Sequence, residues 1–220
     1  MSYAAQTTEP TKSDVDQLNL RLKWQLEKAS RGLRFVNLQL SEELKLYTFV
    51  DTSFANNKDL SSQIGYVIVL GNEFKTETKD VVKIRGNIIY WSLTKCKRVT
   101  RSVLASELYT MVAGFDIGAV IQATINGILT ATIPLILCTD SYSLYDCMTK
   151  LGTTVEKRLM IDIMGLRQSY ERREISEIRW IDGTSNPADA MTKERPCQAL
   201  RQLIDDNSID LITKGWVERA

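Results

Sequence analysis

The feature that most constrains the fold is an apolar run that ends on a carboxylate and occurs twice. Residues 46–51 read LYTFVD, and residues 133–140 read IPLILCTD. Runs of this composition predict buried strands with an acid at the carboxyl end. In an open α/β sheet, sites form beyond the carboxyl ends of central strands. Two such strands side by side would bring Asp51 and Asp140 together, and their repulsion then requires a cation or a proton.

Composition excludes several kinds of site. The chain of 220 residues contains no histidine, which removes histidine-based triads, histidine-ligated zinc and histidine general bases. Its four cysteines are widely spaced, with no CxxC pair, so a disulfide framework or a zinc site is not expected and a reducing compartment fits better. The formal net charge is +1, so any nucleic-acid-binding surface must be local.

The sequence carries no clear signal for a membrane. No apolar run is expected to reach membrane-spanning length, and residues 1–20 lack the apolar core of a signal peptide. We therefore expect a soluble, intracellular protein.

The chain divides into one main domain with short flanking segments. Polar residues at the start predict a disordered lead-in. A helical apolar stripe follows, and a linker joins it to the domain. The predicted segments are a lead-in at 1–12, a helix and linker at 13–43, the main domain at 44–206 and a C-terminal tail at 207–220.

The order of predicted elements within the domain indicates an α/β fold. Three consecutive strands with short connections suggest an antiparallel meander, and alternating helices and strands follow. The charged stretch 73–86 is interpreted as an exposed loop. We predict a mixed five-stranded sheet, with the meander plus parallel strands and with helices on both faces. The strands are expected at 44–54, 62–70, 87–93, 133–139 and 174–181, and the main helices at 102–126, 142–150, 156–173 and 195–206.

Four acids occupy special positions in this order. Asp51 and Asp140 end the first and fourth strands, Glu107 lies in the first long helix, and Asp189 opens the helix after the fifth strand. Each acid alone is weak evidence, because acids at strand ends and helix starts are common. The set of four is a far more specific signal of a site.

Whole phrases around these acids resemble the ribonuclease H domain at the C-terminal end of copia-type LTR retrotransposon polyproteins, particularly the fungal versions. The resemblance covers roughly residues 44–206, and residues 13–40 resemble the end of the preceding reverse-transcriptase region. The matching motifs are YTFVDTSFANN, SSQIGYVIVL, IIYWSLTKCKRVTRSVLASELY, LCTDSYSLYD and SNPADAMTK.

The resemblance implies a ribonuclease H-like fold and cleavage of the RNA strand of RNA–DNA hybrids. It assigns metal binding and catalysis to Asp51, Glu107, Asp140 and Asp189. Mg²⁺ prefers carboxylate oxygens, and two ions roughly 3.5–4 Å apart stabilise the attacking and leaving oxygens of a phosphodiester. The expected cofactor is therefore a pair of Mg²⁺ ions, for which Mn²⁺ can substitute.

Substrate contacts are expected from a local basic cluster and from polar residues beside the acids. The alternative for the basic residues is a solvated loop, and Ser141 also suits a capping role. Many relatives carry a histidine near the last acid, and its absence here puts turnover in doubt. The candidate nucleic-acid contacts are Lys95, Lys97, Arg98, Arg101, Ser53, Asn56 and Ser141.

An alternative hypothesis for the function also fits the sequence. A degenerate or domesticated fragment would keep the fold and bind nucleic acid or a protein without catalysis. A related exonuclease or integrase of similar fold is disfavoured by the order of the acids. The resemblance also implies the reverse-transcriptase part of the same polyprotein as a partner, and a location in cytoplasmic virus-like particles or the nucleus.

Overall fold

The computed structural model describes residues 9–40, 43–57, 59–150, 154, 156–193 and 195–218. Residues 1–8 of the predicted lead-in lie outside these ranges. The strands are β1 Leu44–Ser53, β2 Gln63–Lys75, β3 Val81–Lys95, β4 Leu135–Thr139, β5 Glu177–Ile181 and β6 Ser208–Glu218. The helices are α1 Lys12–Glu27, α2 Val103–Leu129, α3 Tyr142–Thr149, α4 Met160–Glu171, α5 Asp189–Thr192 and α6 Gln198–Asp206, with single 3₁₀ turns at Lys157–Leu159 and Gly183–Ser185.

The strands form one mixed sheet with β1 at its centre. β1 pairs antiparallel with β2 and parallel with β4, β3 extends the meander beside β2, and β5 runs parallel to β4. One apolar core lies between the sheet and α2, α3 and α4, and a second lies on the other face beneath α6. The predicted α/β class, with a three-strand meander, parallel strands and helices on both faces, is confirmed.

The predicted strand count of five is wrong, because residues 208–218 of the predicted C-terminal tail form β6. This strand pairs antiparallel with both β3 and β5 and closes the sheet into a barrel. Ile209, Leu211 and Thr213 are buried, and the residues between them are exposed. That alternation is the pattern of a strand with one face on a core.

The prediction of an exposed loop at residues 73–86 is also wrong, since β2 continues to Lys75 and β3 begins at Val81. The contacts of Glu73 explain why β2 continues into the stretch that was predicted to be a loop. Its side chain pairs with Arg179 at 2.5 Å and accepts a hydrogen bond from the Tyr47 hydroxyl at 2.7 Å. A charged residue was predicted to be solvated, but a partner more than a hundred positions away makes its burial tolerable.

Glu73 belongs to a balanced network of two acids and two bases. Lys45 lies 3.1 Å from Glu73 and 2.9 Å from Glu177, and Arg179 lies 2.5 Å from Glu177. Burial alone would raise the pKa of Glu73, but the hydrogen bonds and charge of Arg179 hold it at about 2. The network therefore remains ionised and joins β1, β2 and β5 inside the domain.

Helix α2 lies across the sheet and carries Glu107. A Cβ added at Gly118 would lie 2.8 Å from the Thr48 hydroxyl oxygen, so the missing side chain permits close packing on β1. By length and apolar composition, α2 is the one helix among the described residues that could cross a membrane, contrary to the expectation from the sequence. In this structure its residues from Ala105 to Met111 pack mainly into the domain core.

The linker between α1 and β1 is held to the sheet by side-chain amides. Asn87 accepts a hydrogen bond from the Val36 N–H at 2.8 Å and donates to the Val36 carbonyl at 2.9 Å. Asn72 makes the same pair of bonds with Gln39, at 3.0 and 2.8 Å. Each side-chain amide makes the pair of backbone hydrogen bonds that a neighbouring strand would otherwise make. The linker is therefore anchored to the domain.

We predict that Arg179→Met lowers the free energy of unfolding by about 3–5 kcal/mol, because it leaves buried Glu73 and Glu177 with Lys45 as their one shared cation. Urea unfolding followed by circular dichroism measures this. The matched control is Arg85→Met on the exposed side of β3, for which we expect a change within about 0.5 kcal/mol. Equal losses in the two variants would contradict the proposed role of the network.

Candidate active site

Three carboxylates meet at the carboxyl end of the central strands. Val50 pairs with Thr139 in the parallel β1–β4 ladder, so the next residues lie side by side: Asp51 near the end of β1 and Asp140 directly after β4. Asp189 approaches from the start of α5. Each of the three acids places one oxygen within 4.8 Å of an oxygen of the other two. The juxtaposition expected from the sequence is observed, and Asp189 joins it.

The approach of α5 is organised by short-range hydrogen bonds. Asp182 ends β5 and caps the following turn by accepting a bond from the Thr184 N–H at 2.9 Å. Asn186 is fully buried and donates to the Val50 carbonyl at 3.0 Å, which ties the turn to the end of β1. These contacts position Asp189 against the ends of the central strands.

Glu107 is buried beside the trio. It is 7% exposed, and its Oε2 atom has no hydrogen-bond partner among the described residues. Burial raises its pKa to about 9, and the charges of Asp51 and Asp140 add to the effect. Glu107 is therefore close enough to sense the other acids, and the metal-free site favours its protonated form.

The trio is partly compensated by groups that follow Asp189. The Thr192 hydroxyl donates a hydrogen bond to Asp51 Oδ2. Lys193 Nζ forms an ion pair with Asp189 and lies 3.7 Å from Asp51 Oδ1. In this segment, only Asp189 was predicted from the sequence to belong to the site, and Thr192 and Lys193 were given no role. The signal was present, because one turn of helix after Asp189 places both beside the acids.

Burial dominates the electrostatics of the two strand-end acids. It raises the pKa of Asp51 to about 6, the Thr192 hydrogen bond opposes this rise, and Asp140 adds to it. Burial likewise raises the pKa of Asp140, and Lys193 opposes the rise. One ammonium and one hydroxyl therefore leave part of the repulsion unrelieved.

The donor set fits a hard divalent cation. All four acids offer oxygen atoms, and this is the ligand type that Mg²⁺ prefers. The unpartnered Oε2 of buried Glu107 is a second indication, because a buried polar atom without a partner is costly unless something else satisfies it. The residues that would hold such an ion are Asp51, Asp140 and Asp189, with Glu107 behind them.

The predicted nucleic-acid contacts lie on several sides of the acids. Ser53 ends β1 and is half-buried, and Asn56 is exposed in the following loop. Ser141 caps α3, with its hydroxyl accepting from the Leu144 N–H at 3.4 Å. That bond supports the capping alternative for Ser141.

The basic cluster after β3 is partly engaged within the chain. Lys95 pairs with Asp59, and Arg98 pairs with Asp162 at 2.9 Å. Lys97 and Arg101 are exposed. Exposed ion pairs are weak, so all four side chains can still contact phosphates, and their role stays a prediction.

Comparison with known proteins finds solved structures that are similar to this chain. No protein-family model and no curated protein matches the chain. The LC11-RNase H1 isolated from compost by a metagenomic approach is 17% identical with a TM-score of 0.49, over 71% of this chain and 98% of that one. RNase H1 from the halophilic archaeon Halobacterium salinarum NRC-1 is 17% identical with a TM-score of 0.48, over 72% and 98%.

A further structure is of LC11-RNase H1 in complex with an RNA/DNA hybrid. It is 16% identical with a TM-score of 0.47, over 71% of this chain and 99% of that one. Likeness at these identities and scores transfers neither an activity nor a residue role. Those must come from the residues of this chain.

We predict that metal-free protein loses stability as pH rises because of Glu107. Its folded-state pKa of about 9 lies above the ordinary 4.5, so its contribution is present at low pH and is lost as pH rises through that interval. Between about pH 5 and pH 8, Glu107→Gln should lose less stability than wild type in urea unfolding with EDTA. Glu77→Gln, in the exposed β2–β3 turn, should follow wild type. If Glu107→Gln also follows wild type, Glu107 is not buried as described.

Proposed function

We propose that this chain is a divalent-metal-dependent endonuclease of ribonuclease H type that cleaves the RNA strand of RNA–DNA hybrids. The observation that carries the proposal is the approach of Asp51, Asp140 and Asp189 to within 4.8 Å at the carboxyl ends of central strands. Such a cluster is unfavourable in a folded protein unless a cation or a proton relieves it.

The expected cofactor is a pair of Mg²⁺ ions, with Mn²⁺ as a substitute, held by Asp51, Asp140, Asp189 and Glu107. When bound, they would supply charge stabilisation to the phosphodiester under attack. The residues of the chain position this chemistry. The β1–β4 ladder fixes Asp51 and Asp140, and the Asn186 bond to β1 fixes the approach of Asp189.

Lys193 is assigned a positioning role. In the metal-free site its ammonium neutralises part of the charge of Asp51 and Asp189. It is 45% exposed on its side chain, so it can turn away when a cation enters and pair with a substrate phosphate. This dual role accounts for a lysine beside a site that would bind metal.

The preference for hybrids and the origin of the chain rest on the motif resemblance. SSQIGYVIVL, LCTDSYSLYD and SNPADAMTK resemble the copia-type retrotransposon ribonuclease H in order and spacing. Recognition would use phosphates and 2′-hydroxyls across the minor groove, with little sequence readout. Lys95, Lys97, Arg98 and Arg101, with Ser53, Asn56 and Ser141, are the proposed contacts.

The same resemblance supports the biological setting that we propose. The partner would be the reverse-transcriptase part of the same polyprotein, and α1 with its linker would be the end of that region. The location would be a virus-like particle in the cytoplasm, or the nucleus.

We predict that the protein cleaves a labelled RNA–DNA hybrid at its RNA strand in Mg²⁺, and that Asp51→Asn lowers the rate by more than about 10²-fold. Denaturing gels of 5′-labelled RNA measure this. The matched control is Asp210→Asn, which removes one exposed carboxylate from β6 and should cleave like wild type. A folded wild type that is inert in both Mg²⁺ and Mn²⁺ would refute the nuclease proposal.

We also predict that Mg²⁺ raises the melting temperature of wild type by several degrees, because a ligand that binds only the folded state stabilises it. Asp51→Asn should lose most of the shift, and Asp210→Asn should keep it. Scanning calorimetry with and without Mg²⁺ measures both. Metal binding without cleavage would favour the rival, a non-catalytic remnant that kept its site, and no shift in wild type would contradict a metal site.

A further inference from the structure

A second charged surface lies beside the acids, in a groove between α1 and the segment that contains α5 and α6. The groove has a volume of about 750 Å³, and its walls come from residues 21–33 and 190–204. No carboxylate lines it among the described residues. Six lining residues are basic, and they define what we call the basic groove: Arg21, Lys28, Arg31, Lys193, Arg195 and Arg201.

This concentration of charge is unusual for the chain as a whole. With 28 basic and 27 acidic residues, positive and negative charges nearly cancel. A concave surface lined by one sign of charge creates a local field that attracts an anionic partner even when the net charge is small. The groove is therefore a stronger candidate for binding a polyanion than composition suggested.

Most of these cations are available to a ligand. Arg21, Lys28, Arg195 and Arg201 are exposed. Arg31 pairs with Asp205 at 2.9 Å, but both side chains are more than a third exposed, so the pair is weak and exchangeable. The groove can thus offer several phosphate contacts at once.

An aromatic side chain stands within the basic groove. The guanidinium of Arg21 lies 4.8 Å from the centre of the Trp24 ring, and Trp24 is 41% exposed. A cation over an aromatic face is held in place by the ring quadrupole. Cations with an exposed ring suit a nucleic acid, because phosphates meet the cations and a sugar or base can contact the ring.

The basic groove is continuous with the acid cluster. Asp189 begins α5 on the side of the acids, and Lys193, which follows the helix, contacts both Asp189 and the groove. Ala190 and Arg195 extend the same segment along the wall. One helical turn therefore separates the acids from the first cations of the groove.

The two walls are joined by specific contacts. Asn207, just after α6, donates to the Arg34 carbonyl at 2.8 Å, and Arg31 reaches Asp205 near the end of α6. With the amide pairs made by Asn72 and Asn87, these bonds hold the chain after α1 against the domain. The groove therefore depends on the segment before the main domain, which these bonds hold at residues after α1, while α1 itself buries none of its side chains.

We propose that the basic groove binds the phosphodiester backbone of the nucleic acid whose scissile phosphate lies at the acid cluster. The segment before the main domain is then part of the substrate-binding surface. The identity of the substrate rests on the proposed function, whereas the groove rests on its own charges. Its contacts are to phosphates and sugars, so they raise affinity without sequence preference.

The test compares two triple variants with the same change in charge. The groove variant carries Arg21→Gln, Arg195→Gln and Arg201→Gln. The control variant carries Lys12→Gln, Lys79→Gln and Lys83→Gln, three exposed lysines outside the groove. Fluorescence anisotropy of a labelled RNA–DNA hybrid in EDTA gives the dissociation constant at several salt concentrations.

The groove variant should bind at least about tenfold more weakly at low salt, and its plot of log affinity against log salt should be less steep by about two to three units. The control variant should keep the slope of wild type. Equal behaviour of the two variants would overturn the proposal. So would competition by polyglutamate as strong as by unlabelled hybrid, because the groove would then be a site for acidic polypeptide.

Failure of the groove and failure of the nuclease are separable. If wild type cleaves hybrid but the groove variant binds like the control, the groove proposal is wrong and the nuclease stands. If wild type binds hybrid through the groove but does not cleave it in Mg²⁺ or Mn²⁺, the groove stands and the nuclease proposal is wrong.

Discussion

The mutual repulsion of clustered carboxylates is the interaction on which the rest of this structure depends. Parallel pairing of β1 with β4 forces Asp51 and Asp140 together, and the turn after β5 adds Asp189. Burial makes the repulsion stronger, because low dielectric surroundings disfavour each charge. Lys193 and Thr192 relieve part of it, and Glu107 is favoured in its protonated form. The remaining repulsion is the reason for proposing a divalent cation at this cluster.

Rigid surroundings allow the fold to hold such a cluster. Away from the acids, Lys45, Glu73, Glu177 and Arg179 form a charge-balanced buried network that joins three strands. β6 closes the sheet between β3 and β5 and buries a second core. Asp51 and Asp140 are thus held side by side by the β1–β4 ladder, and packing around the strands supports their geometry.

The parts of the fold that local patterns encode were predictable from the sequence. Asp51 and Asp140 could be placed together because apolar runs ending in acids predict parallel strands with a shared edge. Glu107 and Asp189 gained their significance from the motif resemblance. The alternation of Ile209, Leu211 and Thr213 indicates a strand, but this stretch was predicted to be a tail.

Other features depend on partners distant in sequence and leave no local signal. Glu73 looked solvated because Arg179, which permits its burial, lies 106 positions away. The basic groove is assembled from residues 21–33 and 190–204, two stretches that lie far apart in the sequence. Tertiary pairing of charges is the information that a single sequence lacks.

Anomalous diffraction from crystals soaked in Mn²⁺ tests the metal-site interpretation most directly. We expect an anomalous peak bounded by the carboxylates of Asp51, Asp140 and Asp189, with Lys193 turned away from Asp51 and Glu107 directed towards the ion. Density that shows Lys193 still paired with Asp51 and Asp189, and no anomalous peak among the acids, would show that the lysine is the permanent counter-ion. The cluster would then be a structural remnant without a metal.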